Sequence, residues 1–538
     1  MRPMPGQYVD EVDAVPTLTG TLRIVAAVGF CVVLAAAVVL RFVTHSALWL
    51  DEALTVDVAR LPLGQIPEAL KHDGAPPLYY YLLHFWMELF GQSDLATRSL
   101  AGVFGVLSLP VAWFAGNRFG GRVVAWTTVV LLASAPFAVF YSTEARMYSL
   151  VILLTGWGFL ALRRALAAPR PGNLIAVAAV TAALLYTQYW SLYLVAAVGI
   201  WLLLEIVVRR LRSSDLSAWK RPLPALGAVV VGCLAFAPWV PTFLYQSKHT
   251  GTPWAAPVGF AALINVVTGF TANQGMTSTL GTVQGRLLAL VYFAMAGLAL
   301  FGTGRSGRIV ELDWGTRPRA RGVTFVVVLA LFMAIAGGLL SSSTFSNRYA
   351  AIVFLPLLLL VALGTTRLLN PVGRLVVVTL AVGAGMVGSV QNVTTQRTQA
   401  VAVASVINTH AQPGDLLAFC PDQLGPAVYR LTDDSARFDM LTFPRGTGPQ
   451  IVDWVDYADA VAAGNPGSFA GRLISRAGPV HHIWMVWQPG YQDLGIKCEQ
   501  VVTTLQQSPR LTGHTWVISA MTQYYEPMNL TEFTPTGS

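Results

Sequence analysis

Three clusters of residues in this chain could do chemistry, and each combines acids, arginines or tyrosines with an apolar neighbourhood. The first is Trp49-Leu50-Asp51-Glu52, followed about 20 residues later by His72-Asp73-Gly74-Ala75-Pro76-Pro77-Leu78-Tyr79. Adjacent carboxylates in a partly apolar setting hinder each other's ionisation, which suits them to proton transfer or to metal binding. The second is Tyr141-Ser142-Thr143-Glu144-Ala145-Arg146-Met147-Tyr148. A Glu and an Arg at the mouth of a helical bundle are costly unless paired or used, and an arginine there binds phosphate through two parallel N–H groups. The third is Asn347-Arg348-Tyr349. Each cluster taken alone has a plainer explanation: a polar interfacial loop, a Glu–Arg pair closing a bundle, an interface anchor. The aromatic run Tyr186-Thr187-Gln188-Tyr189-Trp190 fits the belt of Trp and Tyr found where helices leave the bilayer.

The elements that position these clusters are membrane spans. The 538 residues are 54% hydrophobic and only 12% charged, with mean hydropathy +0.57. Soluble domains carry about 25% charged residues. Apolar runs near the roughly 20-residue length that spans a bilayer start at Leu22–Phe42. Others centre near residues 108, 131, 156, 180, 199, 230, 294, 331, 357 and 382, which makes about eleven spans. The least defined stretch is 241–285, where re-entrant or surface helices could hide. The N-terminal 20 residues are polar and mixed in charge, and no small-residue cleavage site follows the first apolar run, so that run is expected to be a helix and not a removable leader.

Arginine placement predicts direction. Arg118 and Arg122; Arg163, Arg164 and Arg170; Arg209, Arg210, Arg212, Lys220 and Arg221; Arg305, Arg308, Arg317, Arg319 and Arg321; and Arg367 and Arg374 all fall in alternate loops. The intervening loops hold mainly Arg60, Lys71, Arg146, Lys248 and Arg348. This predicts a cytoplasmic tail over 1–21, a transmembrane domain over 22–390 and an extracytoplasmic domain over 391–538, with the first cluster in the outer loop 44–97. The net charge of +8 is accounted for by the inside loops and gives no reason to expect nucleic acid. The C-terminal part has short β-rich stretches at Leu416–Cys420, His482–Trp487 and Thr515–Ala520, with a helical segment at Asp422–Leu431, and reads as a small α/β domain. Cys31 and Cys233 lie in apolar runs and are expected in the core. Cys420 and Cys498 would pair if their domain faces an oxidising compartment.

All three charged clusters fall at the outer ends of spans, on the side of the extra domain, as one site at a bilayer surface would require. In the order and spacing of these residues, over roughly 25–365, the sequence resembles the multi-span GT-C glycosyltransferases that use polyprenyl-phosphate sugars, family 39 type. The nearest likeness is to the protein O-mannosyltransferase and lipid A aminoarabinose transferase branch. The resemblance implies an inverting transfer at the outer face of the plasma membrane. It makes 22–390 the catalytic domain, with the catalytic acid in the outer loop 44–97: Asp51 would be the general base, with Glu52, Asp73 and Glu144 as supporting acids. Arg146, Tyr148 and Arg348 would hold the donor phosphate, and His72, Tyr79, Tyr189 and Tyr349 are candidate contacts to donor or acceptor. Some relatives use a divalent metal and others do not; no complete ligand set is visible, and the resemblance leaves a divalent metal ion open. The Ala-rich, Arg-over-Lys composition resembles an actinobacterial protein, for which a decaprenyl-phosphate donor is expected. Mannose is the first expectation for the sugar and arabinofuranose the second. The acceptor would be an envelope glycan such as a lipoglycan, a lipid or a protein. A transporter or flippase of envelope lipids is the rival class. It accounts for the helices but not for the long outer loop and outer domain, and no matching pair of Gly/Pro-broken spans is present.

Overall fold

Uninterrupted apolar sequence forms α1 (Gly20–Leu40), whose valines and leucines largely point out of the protein. Apolar helix faces left uncovered by protein need lipid as their neighbour. The structure, a computed structural model, describes residues 18–212, 222–251, 262–272, 279–306, 309–340, 345–491 and 494–536. Residues 1–17 of the expected tail, and Lys220, Arg221 and Arg308, lie outside the described residues.

Among the described residues nine helices are long and apolar enough to cross a membrane. This is a polytopic helical membrane protein with a C-terminal domain built on a sheet. After α2 (Leu50–Ala59), α3 (Ile66–Asp73) and α4 (Leu78–Phe90) comes α5 (Asp94–Ser134), 41 residues long. At 1.5 Å per residue that is about 60 Å, twice the roughly 30 Å hydrocarbon thickness. The helix breaks at Gly120 and Gly121, where Gly121 takes φ 81°, so its two halves are separate spans. After α6 (Pro136–Ser142) and α7 (Tyr148–Ala167), α8 (Pro171–Thr187) is 17 residues, the short end of the spanning range. With those two added, each of the eleven apolar runs falls on a helix: α9 (Ser191–Arg212), α10 (Leu223–Leu234) continuing into α11 (Val240–His249), α13 (Thr279–Phe301), α14 (Pro318–Leu340), α15 (Ala351–Thr365) and α16 (Pro371–Thr394) follow. The ill-defined region contains α11 and a short α12 (Ala262–Thr271); residues 252–261 and 273–278 are not described. Helix α15 is the reverse of α1: equally apolar, but buried at every position except Leu357, as the central post of the bundle.

The segment 44–97 is not an extended loop. It folds into α2, α3, α4 and the start of α5. Gly74 ends α3 in the left-handed region (φ 78°), and a Cβ there would lie 2.7 Å from Thr250 Oγ1, so only glycine fits.

The C-terminal domain has a five-stranded sheet in the order β4-β3-β5-β7-β6, with β3 (Leu416–Cys420), β4 (Asp439–Thr442), β5 (Ile483–Trp487), β6 (Leu511–Val517) and β7 (Asn529–Pro535); a separate hairpin, β1 (Gly302–Ser306) and β2 (Ile309–Leu312), precedes α14. β3 runs parallel to β4 and β5, and β7 is antiparallel to β5 and β6. Alternate residues of β3 face opposite cores. Leu417 and Phe419 pack with α17 (Ala400–His410) and α18 (Gly425–Leu431). Leu416, Ala418 and Cys420 pack with α19 (Tyr457–Ala463), α20 (Pro466–Ala477) and α21 (Lys497–Gln506). The strand expected at 515–520 lies earlier, at 511–517, and β4 and β7 were not foreseen. β4 is a four-residue edge strand, and β7 carries Asn529, Glu532 and three threonines or prolines, so neither has the apolar signature of a buried strand. One expectation is corrected: Cys31 and Cys233 are exposed, not core. They sit on the outward faces of α1 and α10, where the apolar environment is lipid, so hydrophobic sequence alone did not imply packing against protein.

Candidate functional site

Asp51 and Glu52 are neighbours in the first turn of α2, about 100° apart around the helix. They therefore enter different surroundings. Glu52 is fully buried and receives both forks of Arg98, from α5, at 2.7 and 2.5 Å. The Ala145 amide donates to it at 2.9 Å, and Arg397 stands 3.7 Å away. Arg98 also donates to the carbonyls of Ser46 and Ala47. Arg397 is held by Thr143 and lies 4.2 Å over the Phe140 ring. Burial alone would raise the Glu52 pKa, but the two guanidiniums outweigh it and hold the carboxyl below its ordinary range.

Asp51 keeps one side open. Its Oδ2 accepts from Arg348 Nη1 at 2.6 Å and stands 3.9 Å from Arg146 Nη2. Arg146, in the turn between α6 and α7, also donates to Thr55 Oγ1 at 2.8 Å and towards the Asp51 carbonyl. Arg348 sits in the single turn Asn347–Ala350 that leads into α15. Burial opposes the Arg146 charge, but Asp51, Asp73 and nearby tyrosines favour it and keep the guanidinium protonated.

These groups line one cavity of about 390 Å³, which also includes Asp73, Tyr148, Gln188, Tyr189, Trp190, Tyr349 and Trp454. Asp73 accepts from Tyr80 at 2.5 Å, and its pKa is raised by burial against the pull of Arg146. The Tyr148 hydroxyl is buried with no hydrogen-bond partner among the described residues. Tyr349 stacks on Trp190 with ring centroids 4.8 Å apart. The Tyr189 hydroxyl is taken up by Gln246 and Trp239.

Other sequence candidates stand outside the cavity lining. Tyr79 is buried in the bundle core. His72 pairs through Nδ1 with Asp453 at 2.8 Å, and its carbonyl accepts from the Trp454 amide. Glu144 accepts from Trp49 Nε1 at 3.0 Å, and burial pushes it up to about 7. Cys420 and Cys498 form a disulfide joining β3 to α21. No group of three or more His, Cys, Asp or Glu is placed to hold a metal ion among the described residues.

Sequence reasoning missed Arg98, Arg397 and Gln188, and the contribution of the C-terminal domain. Arg98 had a usable signal, since a charged residue in an apolar span is rarely idle. The domain packs Leu50 and Leu54 into its own core, supplies Glu526 to accept from the Leu50 amide at 3.2 Å, and lends Trp454 to the cavity. No local pattern announces a contact across more than 400 residues.

The sequence pattern of the family described as dolichyl-phosphate-mannose-protein mannosyltransferase matches residues 74–241. No curated protein matches the chain by sequence. Among solved structures, ArnT from Cupriavidus metallidurans, bound to undecaprenyl phosphate, is similar over 95% of this chain and 98% of that one, with TM-score 0.53 and 14% identity. Its apo form gives TM-score 0.54 at the same identity, over 94% and 98%. The fold is shared with ArnT. The Archaeoglobus fulgidus oligosaccharyltransferase tethered to an acceptor peptide is similar over 90% of this chain and 72% of that chain, with TM-score 0.51 and 10% identity. The ArnT likeness runs through the C-terminal domain as well as the bundle, whereas the family pattern begins at Gly74, after Asp51 and Glu52.

Proposed function

We propose that this protein is an inverting glycosyltransferase that moves a sugar from a polyprenyl-phosphate donor to an envelope acceptor at the outer membrane face. The observation that carries the proposal is the cavity in which one carboxylate, Asp51, faces two arginines from distant parts of the chain. The fold shared with ArnT and the mannosyltransferase pattern over 74–241 support it. In the reaction, an acceptor hydroxyl attacks the anomeric carbon while its proton passes to Asp51. The bond from that carbon to the phosphate oxygen breaks, and the lipid phosphate leaves with the electron pair. Arg146 and Arg348 neutralise its growing charge, with the Tyr148 hydroxyl as a further donor. Glu52 acts at a distance, by fixing Arg98, the Ala145 amide and hence the turn that presents Arg146. Asp73 lines the same cavity and is suited to hold hydroxyls.

Mannose is the favoured sugar and arabinofuranose the second, carried on decaprenyl phosphate. The acceptor is an envelope glycan, lipid or protein. The proposal places the N-terminus in the cytoplasm and the C-terminal domain outside, where the Cys420–Cys498 bond is stable. The deciding test incubates the purified protein in lipid nanodiscs with radiolabelled decaprenyl-phosphate mannose or arabinofuranose and a membrane extract as acceptor source. Label should move into a larger product and release decaprenyl phosphate. No transfer from either donor, with intact donor recovered, would refute these donor assignments. A cytoplasm-only reporter fused after Ser538 should stay silent; a bright signal would reverse the orientation.

A further inference from the structure

We infer that the Gln188 carboxamide reads a pair of hydroxyls on the transferred sugar and so selects the donor; this rests on the glycosyltransferase proposal above. The residue follows the last turn of α8, in extended backbone (φ −156°, ψ 129°). Its main chain is satisfied: the amide donates to the Leu184 carbonyl and its carbonyl accepts from the Ser191 amide, each at 3.0 Å. Its side chain is not. Gln188 is only 2% exposed, yet neither Oε1 nor Nε2 has a hydrogen-bond partner among the described residues. Folded proteins rarely leave both ends of a buried amide unsatisfied, because each lost hydrogen bond to water goes uncompensated.

The second glutamine of the same cavity shows what a structural amide looks like. Gln246 donates to the Leu70 and Ala75 carbonyls and accepts from the Tyr189 hydroxyl. It locks α11 against α3. Gln188 locks nothing, and it lines the cavity that contains Asp51, Arg146 and Arg348. The next residues are held in place: Tyr189 by Gln246 and Trp239, and Trp190 by its stack on Tyr349. The carboxamide is therefore presented from a rigid turn, with little ordering left for a ligand to impose.

The chemistry narrows the ligand. A carboxamide offers an acceptor and two N–H donors at once. The phosphate of the donor has only acceptors, and the arginines already serve it. An isoprenoid tail has neither. Neighbouring sugar hydroxyls supply one donor and one acceptor at matching separation, and a site built to bind hydroxyls discriminates strongly against a partner lacking them.

The test measures binding without acceptor, so that an effect on an acceptor sugar cannot imitate the result. The probes are decaprenyl phosphate, decaprenyl-phosphate mannose and decaprenyl-phosphate arabinofuranose, each titrated into the wild-type protein in nanodiscs and into Gln188→Met and Gln188→Glu. The wild type should bind one sugar-bearing lipid about tenfold to hundredfold more tightly than the bare phosphate. Gln188→Met should lose that gain while its affinity for bare decaprenyl phosphate and its melting temperature stay the same or rise. A structural glutamine would instead lower the melting temperature and weaken every probe together, which would overturn the inference. So would a Met variant that keeps the whole gain, or a wild type that binds all three probes alike. If the Met variant does not fold, Gln188→Glu decides, since it keeps the size and the acceptor but loses the N–H donors: a Glu variant with the full gain overturns the inference, and one that has lost most of it supports it. Failure of the wild type to bind decaprenyl phosphate at all would strike the glycosyltransferase proposal itself.

Discussion

Asp51 and Glu52 are consecutive carboxylates in opposite surroundings. Glu52 is sealed, with both oxygens taken by Arg98 and an amide and a second guanidinium beside them. Asp51 shares one oxygen with Arg348 and borders a cavity. A carboxylate whose partners are all internal can only hold the structure together. One that borders a cavity and keeps an open side can take part in a reaction. The pair also explains the enclosure: α2 is pinned on its Glu52 side to the bundle so that its Asp51 side can stay available.

The contrast can be tested most directly at Asp51. Asp51→Asn keeps the shape and removes the basic oxygen. Sugar transfer should fall about 10²- to 10⁴-fold in single-turnover assays, with decaprenyl phosphate binding unchanged or slightly tighter because a competing negative charge is gone. Near-normal transfer would end its assignment as base, and lost donor binding would make it a structural residue. Glu52→Gln should reverse the pattern. It strands Arg98 and Arg397 in a buried site, and removing one partner of a buried pair typically costs about 3–5 kcal/mol. The denaturation midpoint should drop steeply, with activity falling in step with folded protein. A stable Glu52→Gln enzyme with a specific loss of rate would show that Glu52, like Asp51, takes part in the reaction.

Arg146→Lys probes the cavity from the cationic side. The ammonium keeps the charge but cannot reach Thr55 and Asp51 together in the planar geometry of the guanidinium. Donor affinity should weaken about tenfold, and more in Arg348→Ala, with melting temperature little changed. The smallest effect concerns pH. Burial pushes Glu144 and Glu526 up to about 7 and about 8, from an ordinary glutamate value of 4.5. The folded state then holds protons that the unfolded chain releases, so stability from these groups is complete below about pH 4.5 and fades as pH rises through 7 to 8. Glu52 runs the other way, its contribution present above pH 4.5 and lost on acidification. Glu144→Gln should flatten the neutral-side decline in melting temperature while leaving the acid limb intact; an unchanged profile would mean that Glu144 is ionised in the folded protein.

The bundle was legible because spans obey a local rule: about 20 apolar residues are needed to cross lipid, whatever surrounds them. The same rule located the clusters at span ends, and with them Asp51, Arg146, Tyr148 and Arg348, which the structure gathers into one cavity. Strand β3 was legible for a similar reason, being apolar on both faces and buried on both. What the sequence could not decide was which of two adjacent carboxylates stays open, because that depends on the 100° turn of a helix and on Arg98 and Arg397 arriving from elsewhere in the chain. Nor could it show that Tyr189 is spent on Gln246 while its neighbour Gln188 is left without a partner. Hydrogen bonds act over about 3 Å, and the residues within that distance are set by the packing of distant segments, so only the tertiary structure separates the groups that build this site from those left over for a ligand.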